Sequence, residues 1–97
     1  MLFSVKVDEE VHDITFEIRL PENYPSMDEP TIQFSCKSIS DEIVSELSTR
    51  LDKHIRQNVS VNGLLLDCIG WVQHQIAHAI RNKDKPFYQI EFIPFLR

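Results

Sequence analysis

The spacing of the apolar residues changes once along the chain, and that change limits the folds open to it. Phe3, Val5 and Val7 alternate with Ser4 and Lys6, and Ile14, Phe16, Ile18 and Leu20 alternate with Thr15, Glu17 and Arg19. After a break, Ile32, Phe34 and Cys36 alternate with Gln33 and Ser35. Such alternation puts one face of a strand in a core and the other in water. From residue 43 onward the period is helical. Ile43, Val44, Leu47, Leu51 and Ile55 form one apolar face, and Leu65, Ile69, Val72, Ile76 and Ile80 form a second, widened by Leu66, Cys68 and Ala79. Strands followed by helices make an α+β domain. The expected architecture is an antiparallel meander sheet of three to four strands followed by two helices packed on one face. The expected core is Phe16, Ile18, Leu20, Ile32, Phe34, Leu47, Leu51, Ile69, Trp71, Val72 and Ile76. Trp71 is expected half-buried, since tryptophan is mostly packed but rarely fully enclosed.

Local signals place the joints. Asp8, Glu9, Glu10 and Asp13 form a polar interruption without glycine, which predicts a longer loop rather than a two-residue hairpin turn. Pro21, Pro25 and Pro30 each fix φ and remove a donor, so residues 21–30 should form a stiff, irregular crossing. Ser40 or Ser38 caps the first helix, and Asn62 caps a second that runs to about Asn82. Gly70 inside that helix costs ~1 kcal/mol against alanine, which implies close packing on a neighbour. The last stretch is unlike the rest. Seven of the twelve residues from Pro86 to Arg97 are large and apolar, and Tyr88, Ile90 and Phe92 have strand alternation until Pro94 breaks it. The chain therefore divides into a domain over residues 1–82 and an apolar C-terminal extension over 83–97, packed on or beside it.

Length and charge narrow the function. Ninety-seven residues hold one core. The net charge of −5 argues against a nucleic-acid surface, and no apolar run approaches the length that spans a bilayer. The charge is local: residues 1–30 carry eight acidic and two basic groups, and residues 81–97 carry two acidic and four basic. Two cysteines and no readable secretory signal point to a reducing compartment, cytoplasmic and/or nuclear.

The most specific segment is Leu20-Pro21-Glu22-Asn23-Tyr24-Pro25-Ser26-Met27-Asp28-Glu29-Pro30. Its Tyr-Pro followed by a proline five residues later resembles the YPxxxxP signature of RWD domains. The strand Thr31-Ile32-Gln33-Phe34 and the helix bearing Trp71-Val72-Gln73 extend the resemblance over roughly residues 3–80. Tyr24, Pro25 and Pro30 read as fold-defining, the prolines stiffening the turn and the tyrosine anchoring it. RWD domains usually open with an acidic amphipathic helix before the first strand, whereas this chain begins at or inside a strand. It reads as a shortened product, or as one whose first helix is replaced, with residues 86–96 covering the surface that helix would take.

RWD domains share their architecture with ubiquitin-conjugating enzymes, whose catalysis needs an accessible cysteine and a His-Pro-Asn segment. This chain has no His-Pro-Asn. Gly63-Leu64-Leu65-Leu66-Asp67 resembles their Gly-x-x-Cys-Leu-Asp stretch, but Leu65 or Leu66 stands where the cysteine belongs. Cys68 falls on the apolar side of a helix and Cys36 on the inner face of a strand, where a thiol is inert. His74 and His78 share a helix face but lack a third ligand, so no metal and no cofactor are expected.

The leading reading is a non-catalytic protein-interaction domain, which the resemblance places in ubiquitin or ubiquitin-like conjugation or in translational stress signalling. Its partners would be proteins of those systems, with neither nucleic acid nor membrane. Candidate partner-binding residues are Asp8, Glu9, Glu10 and Asp13 on the hairpin, Met27, Asp28 and Glu29 on the proline loop, and Phe92 and Phe95 in the tail. A degenerate or active conjugating enzyme is the second reading. A self-associating protein, a homodimer built by the tail adding to a sheet edge, is the third.

Overall fold

The structure, a computed structural model, describes residues 2–22, 30–58 and 63–95, and only the backbone of Phe87. Three strands, β1 (Leu2–Val7), β2 (Glu10–Arg19) and β3 (Thr31–Ser35), form an antiparallel sheet in the order β1-β2-β3. Two helices follow, α1 (Asp41–Gln57) and α2 (Leu64–Arg81). The α+β meander expected from the change of period is the fold observed. Helix α1 lies against β3 and α2 against β1, so the two cover one face of the sheet.

The first hairpin is tighter than the sequence implies. Val7 pairs with Glu10, leaving only Asp8 and Glu9 in the turn, with φ of 51° and 74°. The longer loop expected over residues 8–13 is therefore overturned. Extending β2 back through Glu10–Asp13 gives β1 its full ladder, and that gain offsets two left-handed residues. Aspartate tolerates that conformation; glutamate has no such excuse, and a left-handed geometry costs an ordinary L-residue roughly 1–2 kcal/mol. Glu9→Gly is expected to raise stability by about 0.5–1 kcal/mol after the glycine's extra unfolded-state entropy is subtracted. Glu9→Val should lower it. Thermal denaturation of the three proteins checks the ordering.

The inner face of the sheet carries Phe3, Val5 and Val7 from β1, Ile14, Phe16 and Ile18 from β2, and Ile32 and Phe34 from β3. Phe16 sits at their centre, 1% exposed. Its ring meets Phe3 edge-on at 5.3 Å and tilts against Phe34 at 6.1 Å. Ile18 is only partly buried. Leu20 departs from the expected core at 56% exposure. It keeps the strand's alternation but lies beyond the last paired residues, Arg19 and Thr31, past the end of the ladder.

Helix α1 starts at Ser40, whose hydroxyl oxygen accepts from the Ile43 N–H at 3.4 Å. It ends at Asn58, whose side chain donates to the His54 carbonyl at 2.9 Å. Gly63 precedes α2 with φ of 79°, a conformation that suits a residue without Cβ; Asn62, the cap expected from sequence, lies outside the described residues. Asn82 closes α2, its side chain donating to the His78 carbonyl at 2.8 Å.

The two helices differ in how far they are enclosed. Helix α1 buries four of its seventeen residues, Ile43, Leu47, Leu51 and Ile55, as one narrow stripe. Helix α2 buries ten of eighteen, which needs neighbours on several sides. The sheet and α1 supply two of them, and the C-terminal segment supplies another. Leu66, expected to widen the apolar face, is instead 76% exposed. Gly70 lies four residues on from Leu66, and a Cβ added there would meet nothing within 4 Å. The expected close approach at Gly70 is thus absent.

After Asn82 a polar turn leads to a 3-10 turn at Phe87–Gln89 and then to a stretch without regular secondary structure over residues 90–95. This stretch is not a strand, so the sheet has three strands among the described residues. Ile90 is 6% exposed and belongs to the main core cluster.

Candidate functional site

The turn geometry carries the acidic end of the molecule. Asp8 and Glu9 form the tip, Glu10 begins β2, and Asp13 points from the outer face of the sheet; all four side chains are exposed. His12 lies on the inward phase of β2 and is half-buried. Its Nδ1 is hydrogen-bonded to Ser38 Oγ at 2.6 Å, and its Nε2 lies 3.8 Å from Glu10. That bond ties the hairpin to the turn leading into α1, so the tip is held from both its strands and from β3's far end.

The thiols are placed by the periodicities of their elements. Cys36 follows β3 on its inward phase and is 8% exposed. Cys68 is 0% exposed on the buried stripe of α2. Burial pushes the Cys68 thiol up to about 12, and the neighbouring Asp67 carboxylate adds to the rise. A thiol so shifted stays protonated near neutral pH, and the thiolate is the nucleophile. Of the two leucines at the cysteine position of the conjugating-enzyme pattern, Leu65 is half-buried and Leu66 exposed.

The tail residues Phe92 and Phe95 are engaged within the chain. The Arg50 guanidinium stands over the Phe92 ring at 4.3 Å. The Phe95 ring is stacked between the His54 imidazole at 3.6 Å and the Trp71 indole at 4.2 Å. Trp71 Nε1 donates to the Ile93 carbonyl at 2.5 Å. Trp71 is consequently 6% exposed, more enclosed than its sequence alone suggests. Gln75, 0% exposed, holds the same segment with both ends of its amide. Its Nε2 donates to the Glu91 carbonyl at 3.3 Å, and its Oε1 accepts from the Ile93 N–H at 2.6 Å.

Gln75, Arg50 and His54 were not singled out by sequence. One signal was present for Gln75: it sits four residues after Trp71, a polar side chain on an otherwise apolar stripe. A polar group at such a position requires a partner. Pro30 is buried directly before β3. Tyr24, Pro25, Met27, Asp28 and Glu29 lie outside the described residues. His74 is exposed and His78 half-buried on α2. Among the described residues no three His, Cys, Asp or Glu are grouped to hold a metal ion, and no helix is long and apolar enough to cross a membrane.

Comparison with known proteins gives one match. The family model of the RWD domain covers residues 2–76, from the start of β1 to well within α2. No curated protein and no solved structure matches the chain.

Proposed function

Because this chain belongs to the RWD domain family, a protein-interaction domain related to the ubiquitin-conjugating fold, we propose that it acts as a non-catalytic adaptor. The systems proposed are ubiquitin or ubiquitin-like conjugation and translational stress signalling, in the cytoplasm or nucleus. The family match over residues 2–76 carries the reading. Two structural features support it. Both cysteines are buried, and Cys68 is held protonated well above neutral pH. The acidic residues that sequence singles out on the hairpin are exposed.

The proposed docking surface is the hairpin end, Asp8, Glu9, Glu10 and Asp13, and its partner presents a basic face. Charges of this kind steer encounter and set the salt dependence more than they build affinity. Titration calorimetry against a panel of conjugating enzymes of the ubiquitin family and of translational stress kinases tests this. Saturable binding is expected with at least one member, weakened roughly tenfold by Glu10→Lys with Asp13→Lys and falling with added salt. Background signal across the panel, or binding indifferent to both charge reversals, overturns it.

A further inference from the structure

We propose that the groove between α1 and α2 is a docking site for an extended chain segment, and that its occupant in trans is residues 90–95 of a second copy of this chain. The groove is built to read a backbone. Gln75 contacts the carbonyl of residue 91 and the N–H of residue 93, and Trp71 contacts the carbonyl of residue 93. Partners on alternate residues of one edge are what a neighbouring strand would supply. Here two side chains of α2 do it, one of them fully buried. Side-chain seats flank that ladder. Ile90 enters the core, Phe92 lies beneath Arg50, and Phe95 fills the slot between His54 and Trp71.

The identity of the occupant follows from what already sits there. The chain's own residues 90–95 satisfy every seat, so the same residues of another copy do so equally well. The connection is suited to exchange. Lys83, Asp84, Lys85 and Pro86 between α2 and the 3-10 turn are all exposed, and the backbone turns back there through the Lys85 N–H donating to the Asn82 carbonyl at 3.0 Å. Opening that turn breaks few contacts, and the closed and exchanged forms make the same groove contacts. Such pairs of states are separated by hinge strain and concentration.

Shortening the hinge tests this. Deleting residues 83–85 removes up to roughly 10 Å of reach, which strains the return of the tail to its own groove and shifts the balance toward exchange. Light scattering should give a dimer, with emission of the single tryptophan, Trp71, unchanged from the parent protein. A folded monomer overturns the proposal. So does a dimer whose Trp71 emission shifts to that of an exposed indole, because its contact lies elsewhere. If the shortened chain does not fold, the full chain is refolded from denaturant at about 1 mM and at about 1 μM and its mass measured by native spectrometry. Dimers at the higher concentration whose Trp71 emission matches that of the folded monomer, and that are lost when residues 86–97 are removed, support exchange; monomers at both concentrations, or dimers that persist without residues 86–97, overturn it.

Discussion

Phe16→Ala is expected to destabilise the chain by about 3–5 kcal/mol, the range for truncating a fully buried phenylalanine. The ring is 1% exposed and lies between Phe3 and Phe34, so its removal opens a cavity at the middle of the sheet's inner face. Two aromatic contacts are lost with it, each worth about 0.5–1.5 kcal/mol beyond the area buried. The surrounding core is already enclosed, with Ile14 and Leu47 at 0% exposure, and has little freedom to collapse into the space. A domain of this size has total stability of about 5–15 kcal/mol, so a large share is at stake. Denaturant unfolding should show the midpoint falling with little change in slope. A loss below about 1 kcal/mol would mean that Phe16 is not at the centre of the core.

Removing residues 86–97 is expected to be at least as costly as Ile90→Ala, about 2–5 kcal/mol, and to lower the melting temperature by about 10 °C or more. The gross contacts are larger than this: Ile90 in the core, the Phe95 stack and the three hydrogen bonds to residues 91 and 93. Freeing the segment returns backbone entropy of about 1–2 kcal/mol per residue, which offsets much of that gross figure. The body left behind exposes the Trp71 ring and the Gln75 stripe of α2 to water. Tryptophan emission should move to longer wavelength as melting falls. Unchanged melting would show that the tail contributes nothing to the fold.

The periodic parts of the chain are legible in the sequence. Alternation through Ile14, Phe16 and Ile18 and the helical spacing of Ile43, Leu47, Leu51 and Ile55 encode burial directly, one residue at a time. Cys68 could be placed by phase on the buried stripe of α2, and its chemistry followed. What could not be read depends on partners far away in sequence. The turn at Asp8-Glu9 lacks the glycine that usually marks it, because ladder pairing from Glu10 to Asp13 overrides local preference. The tail has no period of its own; its course is dictated by Gln75, Trp71 and His54, which lie 16 to 41 residues earlier. Leu20 failed in a different way, since alternation states which side a residue faces but not whether anything still lies opposite it.

The proposed adaptor binds its partners and forms no thioester with them. The direct measurement is incubation of the folded chain with activating enzyme, ATP and ubiquitin, and in parallel with ubiquitin-like modifiers, followed by intact-mass analysis with and without reductant. The mass should be unchanged in every reaction, with both thiols alkylated only after denaturation. An adduct on Cys36 or Cys68 that reductant removes would contradict it.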